Sequence, residues 1–117
     1  MGRSILIVDD SSIMRRMLRE VLRSGAHTIA GEAKSGQEAV AMYQALKPDI
    51  VTMDITMRGM DGFAAAREIY RHDPGARIIF LSNLNDEKYC TEALQLGAVG
   101  YVNKHESQKL LSLITQV

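Results

Sequence analysis

Ile5-Leu6-Ile7-Val8-Asp9-Asp10 and Ile50-Val51-Thr52-Met53-Asp54 are the two stretches whose reading decides the fold. Each is a short, Ile- and Val-rich apolar run with acid at its carboxyl end. Runs of this kind read as strands covered on both faces, the situation of a parallel sheet. Two such strands in one sheet bring Asp9, Asp10 and Asp54 to a common edge. In open α/β sheets, ligands bind outside that carboxyl edge. Carboxylates gathered there repel one another unless a cation sits among them, and hard oxygen donors suit a largely hydrated Mg²⁺.

Working outward, strand and helix patterns alternate along the chain. Ser11-Ser12 can cap a helix whose apolar positions are Ile13, Met14, Met17, Leu18, Val21 and Leu22, with Gly25 ending it. A weaker strand is predicted near Thr28–Ala33, then a helix opened by Ser35-Gly36, carrying Ala39, Val40, Tyr43 and Leu46, and stopped by Pro48. The loop after Asp54 leads to Asp61, placed to cap a helix with Phe63, Ala66, Ile69 and Tyr70 that ends at Pro74-Gly75. Arg77–Leu81 reads as the fourth strand, and Asp86–Leu96 as a helix with Cys90, Ala93, Leu94 and Gly97 on one stripe. Gly100–Asn103 is a short fifth strand and Ser107–Val117 the last helix. Five such units predict an α/β fold: a five-stranded doubly wound parallel sheet with helices on both faces. The order 2-1-3-4-5, taken by analogy with flavodoxin-like sheets, sets strands one and three side by side at the switch point.

Length and composition bound the function. The 117 residues suit one domain, expected to span residues 1–117. Fourteen basic residues balance fourteen acidic ones, so no net field draws the domain to nucleic acid or a membrane surface. Cys90 is the single cysteine, which excludes an internal disulfide and fits a reducing cytoplasm. No apolar stretch approaches the roughly 20 residues of a membrane span. Met1-Gly2-Arg3-Ser4 runs straight into the first strand, so neither a signal peptide nor a myristoylation signal is expected. His27, His72 and His105 are scattered, without ligand spacing. The arginines Arg15, Arg16, Arg19 and Arg23 read as a solvated helix face, with a docking surface for a histidine-bearing partner as the alternative.

Val8-Asp9-Asp10-Ser11, Met53-Asp54-Ile55-Thr56-Met57, Met60-Asp61-Gly62, Leu81-Ser82, Gly97-Ala98 and Gly100-Tyr101-Val102-Asn103-Lys104 together resemble the receiver domain of two-component response regulators. The resemblance covers essentially the whole chain. The first half looks most like stand-alone chemotaxis regulators of the CheY type. The stretch from Asn85 to Leu111 is closer to receivers that precede a NarL-type DNA-binding domain.

The resemblance implies that Asp54 is the phosphoacceptor. It implies that Asp10 binds Mg²⁺ directly and Asp9 mainly through water, with the Thr56 backbone carbonyl as a further ligand. Ser82 would hydrogen-bond the phosphoryl group, Lys104 would pair with it, and Tyr101 would change rotamer on activation. Implied partners are a sensor histidine kinase or His-phosphotransfer protein and a downstream output protein or domain. The implied oligomeric state is a monomer or a phosphorylation-dependent dimer. Such a protein is a switch rather than an enzyme, beyond self-phosphorylation from small phosphodonors and autodephosphorylation, whose rate would depend on Thr56 and Leu84. Two departures stand out: Arg58 and His105 occupy positions where the family usually has proline, and an X–His bond does not adopt cis as X–Pro can. They motivate a rival reading as an interaction module that works without phosphorylation. A second rival is a Mg²⁺-dependent phosphohydrolase using an aspartyl phosphate; Thr56 stands where many such enzymes carry a second Asp.

Overall fold

The structure is a computed structural model that describes residues 2–83 and 87–117. Its elements run β1 (Ser4–Val8), α1 (Ser12–Ser24), β2 (Thr28–Ala33), α2 (Gly36–Leu46), β3 (Ile50–Asp54), α3 (Gly62–His72), β4 (Ile78–Ser82), α4 (Glu87–Gln95), β5 (Gly100–Asn103) and α5 (Gln108–Gln116), with a 3₁₀ turn at Lys104–Glu106. All strand pairs are parallel and the order is β2-β1-β3-β4-β5. The predicted α/β class and strand order are therefore correct.

The two-residue period of each strand divides its side chains between two cores. Leu6, Val8, Val51, Met53, Ile78 and Phe80 point to the side covered by α2, α3 and α4, where they meet Ala39, Tyr43, Phe63, Ile69 and Ala93. Ile5, Ile7, Ile50, Ile79, Leu81 and Val102 point to the other side, against Leu18 and Leu22 of α1 and Leu110 and Ile114 of α5. This is why the central strands β1, β3 and β4 are mainly apolar along their length. Phe63 links the first core, its ring lying 5.0 Å from Phe80 and 5.8 Å from Tyr89.

Three helix starts follow from the residues that cap them. Ser11 Oγ accepts from the Met14 amide (3.2 Å), Ser35 Oγ from the Glu38 amide (3.1 Å) and Asp61 Oδ1 from the Ala64 amide (2.8 Å). Each satisfies a backbone donor that the first helical turn leaves open. Gly62 has no room for a side chain, since a Cβ there would stand 2.1 Å from the Asp54 carbonyl oxygen. The start of α3 is thus pressed against the end of β3.

Some expectations are corrected. Ile13, Met17, Leu46 and Leu94, read as core-facing, are exposed. In α1 only Leu18 and Leu22 are fully buried, because the helix touches the sheet along a narrow strip. Gly97 lies beyond α4 at φ +95° and belongs to the turn, not to a helical stripe. Gly25 closes α1, but the left-handed residue there is Ala26, at φ +65°. The start predicted for the fourth helix, Asp86, lies outside the described residues.

Thr52 is fully buried on the α1/α5 side, and its hydroxyl has no hydrogen-bond partner. A buried, unpaired hydroxyl costs free energy that a methyl group of similar shape does not. Thr52→Val is expected to stabilise the protein by about 1 kcal/mol. A urea midpoint that falls instead would show that the hydroxyl is satisfied in solution.

Candidate functional site

Register explains how distant residues converge. Val8 lies beside Met53, so Asp9 follows beside Asp54; Asp54 lies beside Leu81, and Ser82 beside Asn103. The alternation that turns Ile5, Ile7, Ile50 and Val102 towards α1 and α5 carries Asp9, Asp54 and Lys104 to that same side. Lys104 then reaches back over the sheet edge. Its Nζ lies 2.8 Å from Asp9 Oδ2 and 3.1 Å from Asp54 Oδ1.

The chain is buried at these three positions: Asp9 is 1 % exposed, Asp54 4 % and Lys104 9 %. Asp10, next along, is exposed. One carboxylate oxygen from each of Asp9, Asp10 and Asp54 lies within 4.8 Å of the others. Burial, then the neighbouring Asp9 charge, pushes the Asp54 carboxyl up to about 6, although Lys104 pulls the other way. Burial alone would lower the Lys104 ammonium, but Asp9 and Asp54 outweigh it and hold it above its ordinary value. Of the three carboxylates, Asp9 and Asp54 share one ammonium and Asp10 stands beside them, and the excess negative charge is what a divalent cation would neutralise. All-oxygen donors of this kind, open to water through Asp10, fit Mg²⁺.

The cleft at this edge has a volume of about 360 Å³ and is lined by Asp9, Asp10, Ser11, Asp54, Thr56, Ser82, Asn83 and Lys104. Asp9, Asp10, Asp54, Thr56, Ser82 and Lys104, predicted for phosphoryl or metal chemistry, are therefore in one place. Tyr101 is not among them. It is half-buried on β5 beside Phe80, packs on the α2–α4 side, and lines a different cavity with Glu106, Lys109, Ser112 and Leu113. Leu84 lies outside the described residues.

Lys104 meets Asp9 and Asp54 despite the two departures from the usual prolines. After Lys104 the chain turns as a single 3₁₀ turn, with Asn103 Oδ1 accepting from the His105 amide at 2.8 Å. Asn103 thereby supplies a fixed turn without proline. Arg58 is exposed in the loop before α3, followed by Gly59 at φ +73°.

Ser11 and Asn83 line the cleft although the sequence reading gave them no part in the chemistry. The arginine face is also corrected. Arg15 is only 14 % exposed at its side chain, and its Nη1 donates to the Asp9 carbonyl at 2.8 Å. Arg19 Nη1 lies 2.5 Å from Glu32 Oε2 on β2. Only Arg16, paired at 3.6 Å with Glu20, and Arg23 keep the predicted solvated character.

Comparison with known proteins points to one family. Residues 5–115 match the model of the response regulator receiver domain family. The chain is 46% identical over 104 residues to the chemotaxis protein CheY of Thermotoga maritima, covering 89% of this chain and 87% of that one. It is 38% identical over 117 residues to CheY of Bacillus subtilis, covering 99% and 98%. Among solved structures it is similar to the CheX–CheY–BeF3–Mg²⁺ complex of Borrelia burgdorferi, with a TM-score of 0.92 and 34% identity over 97% of this chain and 87% of that one.

Proposed function

The chain belongs to the response regulator receiver domain family, and from that membership we propose that it is a phosphorylation switch with Asp54 as acceptor and Mg²⁺ as its ion. The whole chain forms the receiver. The observation that carries the reading is the buried Asp9–Lys104–Asp54 arrangement beside the exposed Asp10. Asp9, Asp10, Asp54 and the Thr56 carbonyl would hold the ion, which when bound supplies positive charge to phosphoryl oxygens. The Mg²⁺ in the Borrelia complex supports this assignment.

In the proposed transfer, an Asp54 oxygen attacks the phosphorus of a phosphohistidine on a sensor kinase or phosphotransfer protein. The O–P bond forms as the N–P bond breaks, and the histidine nitrogen leaves with the electron pair. Little covalent chemistry is asked of the protein; positioning and charge do most of it. A carboxylate needs no base, but it must be ionised; in the metal-free protein burial raises the Asp54 carboxyl to about 6, and a cation beside it favours the ionised form. Lys104 pairs with the equatorial charge and Ser82 donates to it. The acyl phosphate formed is energetic and transient.

The readout is proposed to run through Ser82 and Tyr101. β4 sends Phe80 to the α2–α4 side, and Tyr101 lies beside Phe80 in the register. The strand period carries Ser82, two residues on, to that same side. A shift of Ser82 towards the phosphoryl group therefore acts on the packing below α4. An output protein would read the resulting α4–β5–α5 surface.

Intact-mass measurement after incubation with acetyl phosphate tests the acceptor. One Mg²⁺-dependent phosphoryl adduct is expected, absent from Asp54→Asn. An adduct that persists in Asp54→Asn would move the acceptor elsewhere. No adduct in either protein would favour an interaction module that works without phosphorylation.

A further inference from the structure

Three of the four polar atoms of Asp9 are hydrogen-bonded, and the fourth, Oδ2, is held by an ion pair alone. Its amide donates to the Ala33 carbonyl at 3.1 Å, and its Oδ1 accepts from the Ser11 amide at 2.9 Å. Its Oδ2 lies 2.8 Å from Lys104 Nζ. The fourth tie, on its carbonyl oxygen, is Arg15 Nη1 at 2.8 Å. Arg15 does not act alone, because its Nε lies 3.6 Å from Glu32 Oε1 while Arg19 holds Glu32 Oε2 at 2.5 Å. Glu32 is fixed in turn by its place on β2, beside Ile7 of β1.

The result is a continuous relay, Arg19–Glu32–Arg15–Asp9, running from α1 across β2 to the acidic edge. The side chains of Arg15, Glu32 and Arg19 are 14%, 24% and 31% exposed, so the relay is partly withdrawn from water. A guanidinium is suited to the middle position. Its planar fork can donate to a carbonyl and face a carboxylate together, whereas a lysine ammonium is a single point of charge.

We infer that Arg15, braced by Glu32, is a positioning residue that sets the orientation of Asp9 and thereby tunes Mg²⁺ affinity at the proposed phosphorylation site. This rests on the proposed Mg²⁺-dependent switch. Groups that orient metal ligands commonly matter by an order of magnitude or more when removed. The sign of the effect separates positioning from simple charge. Losing a cation close to a cation site relieves repulsion and tightens binding. Losing the brace on Asp9 weakens it.

Calorimetric titration with MgCl₂ would test the assignment on wild type, Arg15→Gln, Arg15→Lys and Glu32→Gln, each first shown to be folded by circular dichroism. Positioning predicts about tenfold weaker binding in Arg15→Gln and in Arg15→Lys. Glu32→Gln should shift in the same direction by a smaller factor. Arg15→Lys keeps the charge and most of the packing, so it remains informative if Arg15→Gln does not fold. Tighter binding in Arg15→Gln with an unchanged Arg15→Lys would reduce Arg15 to a background charge and overturn the inference. So would wild-type affinity in both Arg15 variants. If wild type itself takes up no Mg²⁺, the proposed function fails first and this inference with it.

Discussion

Asp54→Asn is expected to raise the stability of the metal-free protein by about 2–3 kcal/mol at pH 7. The reason is the mismatch between the buried carboxylate and its surroundings. Asp54 is 4% exposed, and burial followed by the Asp9 charge raises its carboxyl from 3.8 to about 6. A carboxyl whose pKa is higher in the folded state is stabilising while protonated. That contribution is fully present below pH 3.8 and is lost as the pH rises through about 6. Asparagine keeps the shape without the charge, so its advantage should be small at pH 3–4, grow between pH 4 and 6, and level off above. Mg²⁺ should narrow or reverse the order, since an ion that binds the folded wild type stabilises it by mass action. Urea unfolding of both proteins at several pH values, with and without MgCl₂, measures this. A difference that does not change between pH 4 and pH 7 would mean that Asp54 titrates as an ordinary solvated carboxylate.

The same burial explains which parts of the site could be read from sequence. Asp9, Asp10 and Asp54 were legible because each follows an apolar run, and a parallel sheet places strand ends together. Ser11, Ser35 and Asp61 were legible as caps because capping is local. Lys104 needed the family resemblance, since nothing local distinguishes a lysine after a short strand from a solvated one.

Arg15 was misread for a physical reason. Its neighbours on α1 suggest a polar face, but its role is set by Glu32, a residue on another strand that local periodicity cannot place. Ile13, Met17, Leu46 and Leu94 erred in the opposite direction. An apolar stripe marks the side of a helix that can be buried, whereas the width actually covered depends on how closely the helix lies on the sheet. The turn after Lys104 shows a substitution of means: His105 removes the usual proline, and the Asn103 side chain fixes the turn instead.

Lys104→Met should have the other large effect, in two opposite directions. In the metal-free protein it removes the ammonium lying within 3.1 Å of two buried carboxylates, 2.8 Å from Asp9 and 3.1 Å from Asp54. Removing one partner of a buried ion pair commonly costs about 3–5 kcal/mol, because the remaining charge is left uncompensated. Here the loss should lie near the lower end of that range at pH 7, since Asp54 can relieve it by taking up a proton. It should shrink further in acid as Asp54 is neutralised.

Lys104 itself titrates on the alkaline side. Burial alone would lower its pKa, but Asp9 and Asp54 raise it overall, so stability is lost through its own deprotonation only above 10.5. The neutral range therefore reports Asp54 and not Lys104. Mg²⁺ binding should move the other way, becoming tighter on the order of tenfold, because the ion no longer competes with an ammonium for the same oxygens. Urea unfolding and calorimetric Mg²⁺ titration on one preparation of the variant test both arms. Unchanged stability would mean that water already screens the two ion pairs. A destabilised variant that also bound Mg²⁺ more weakly would mean that Lys104 holds Asp9 and Asp54 at the spacing the ion requires, so that its geometric contribution outweighs its charge.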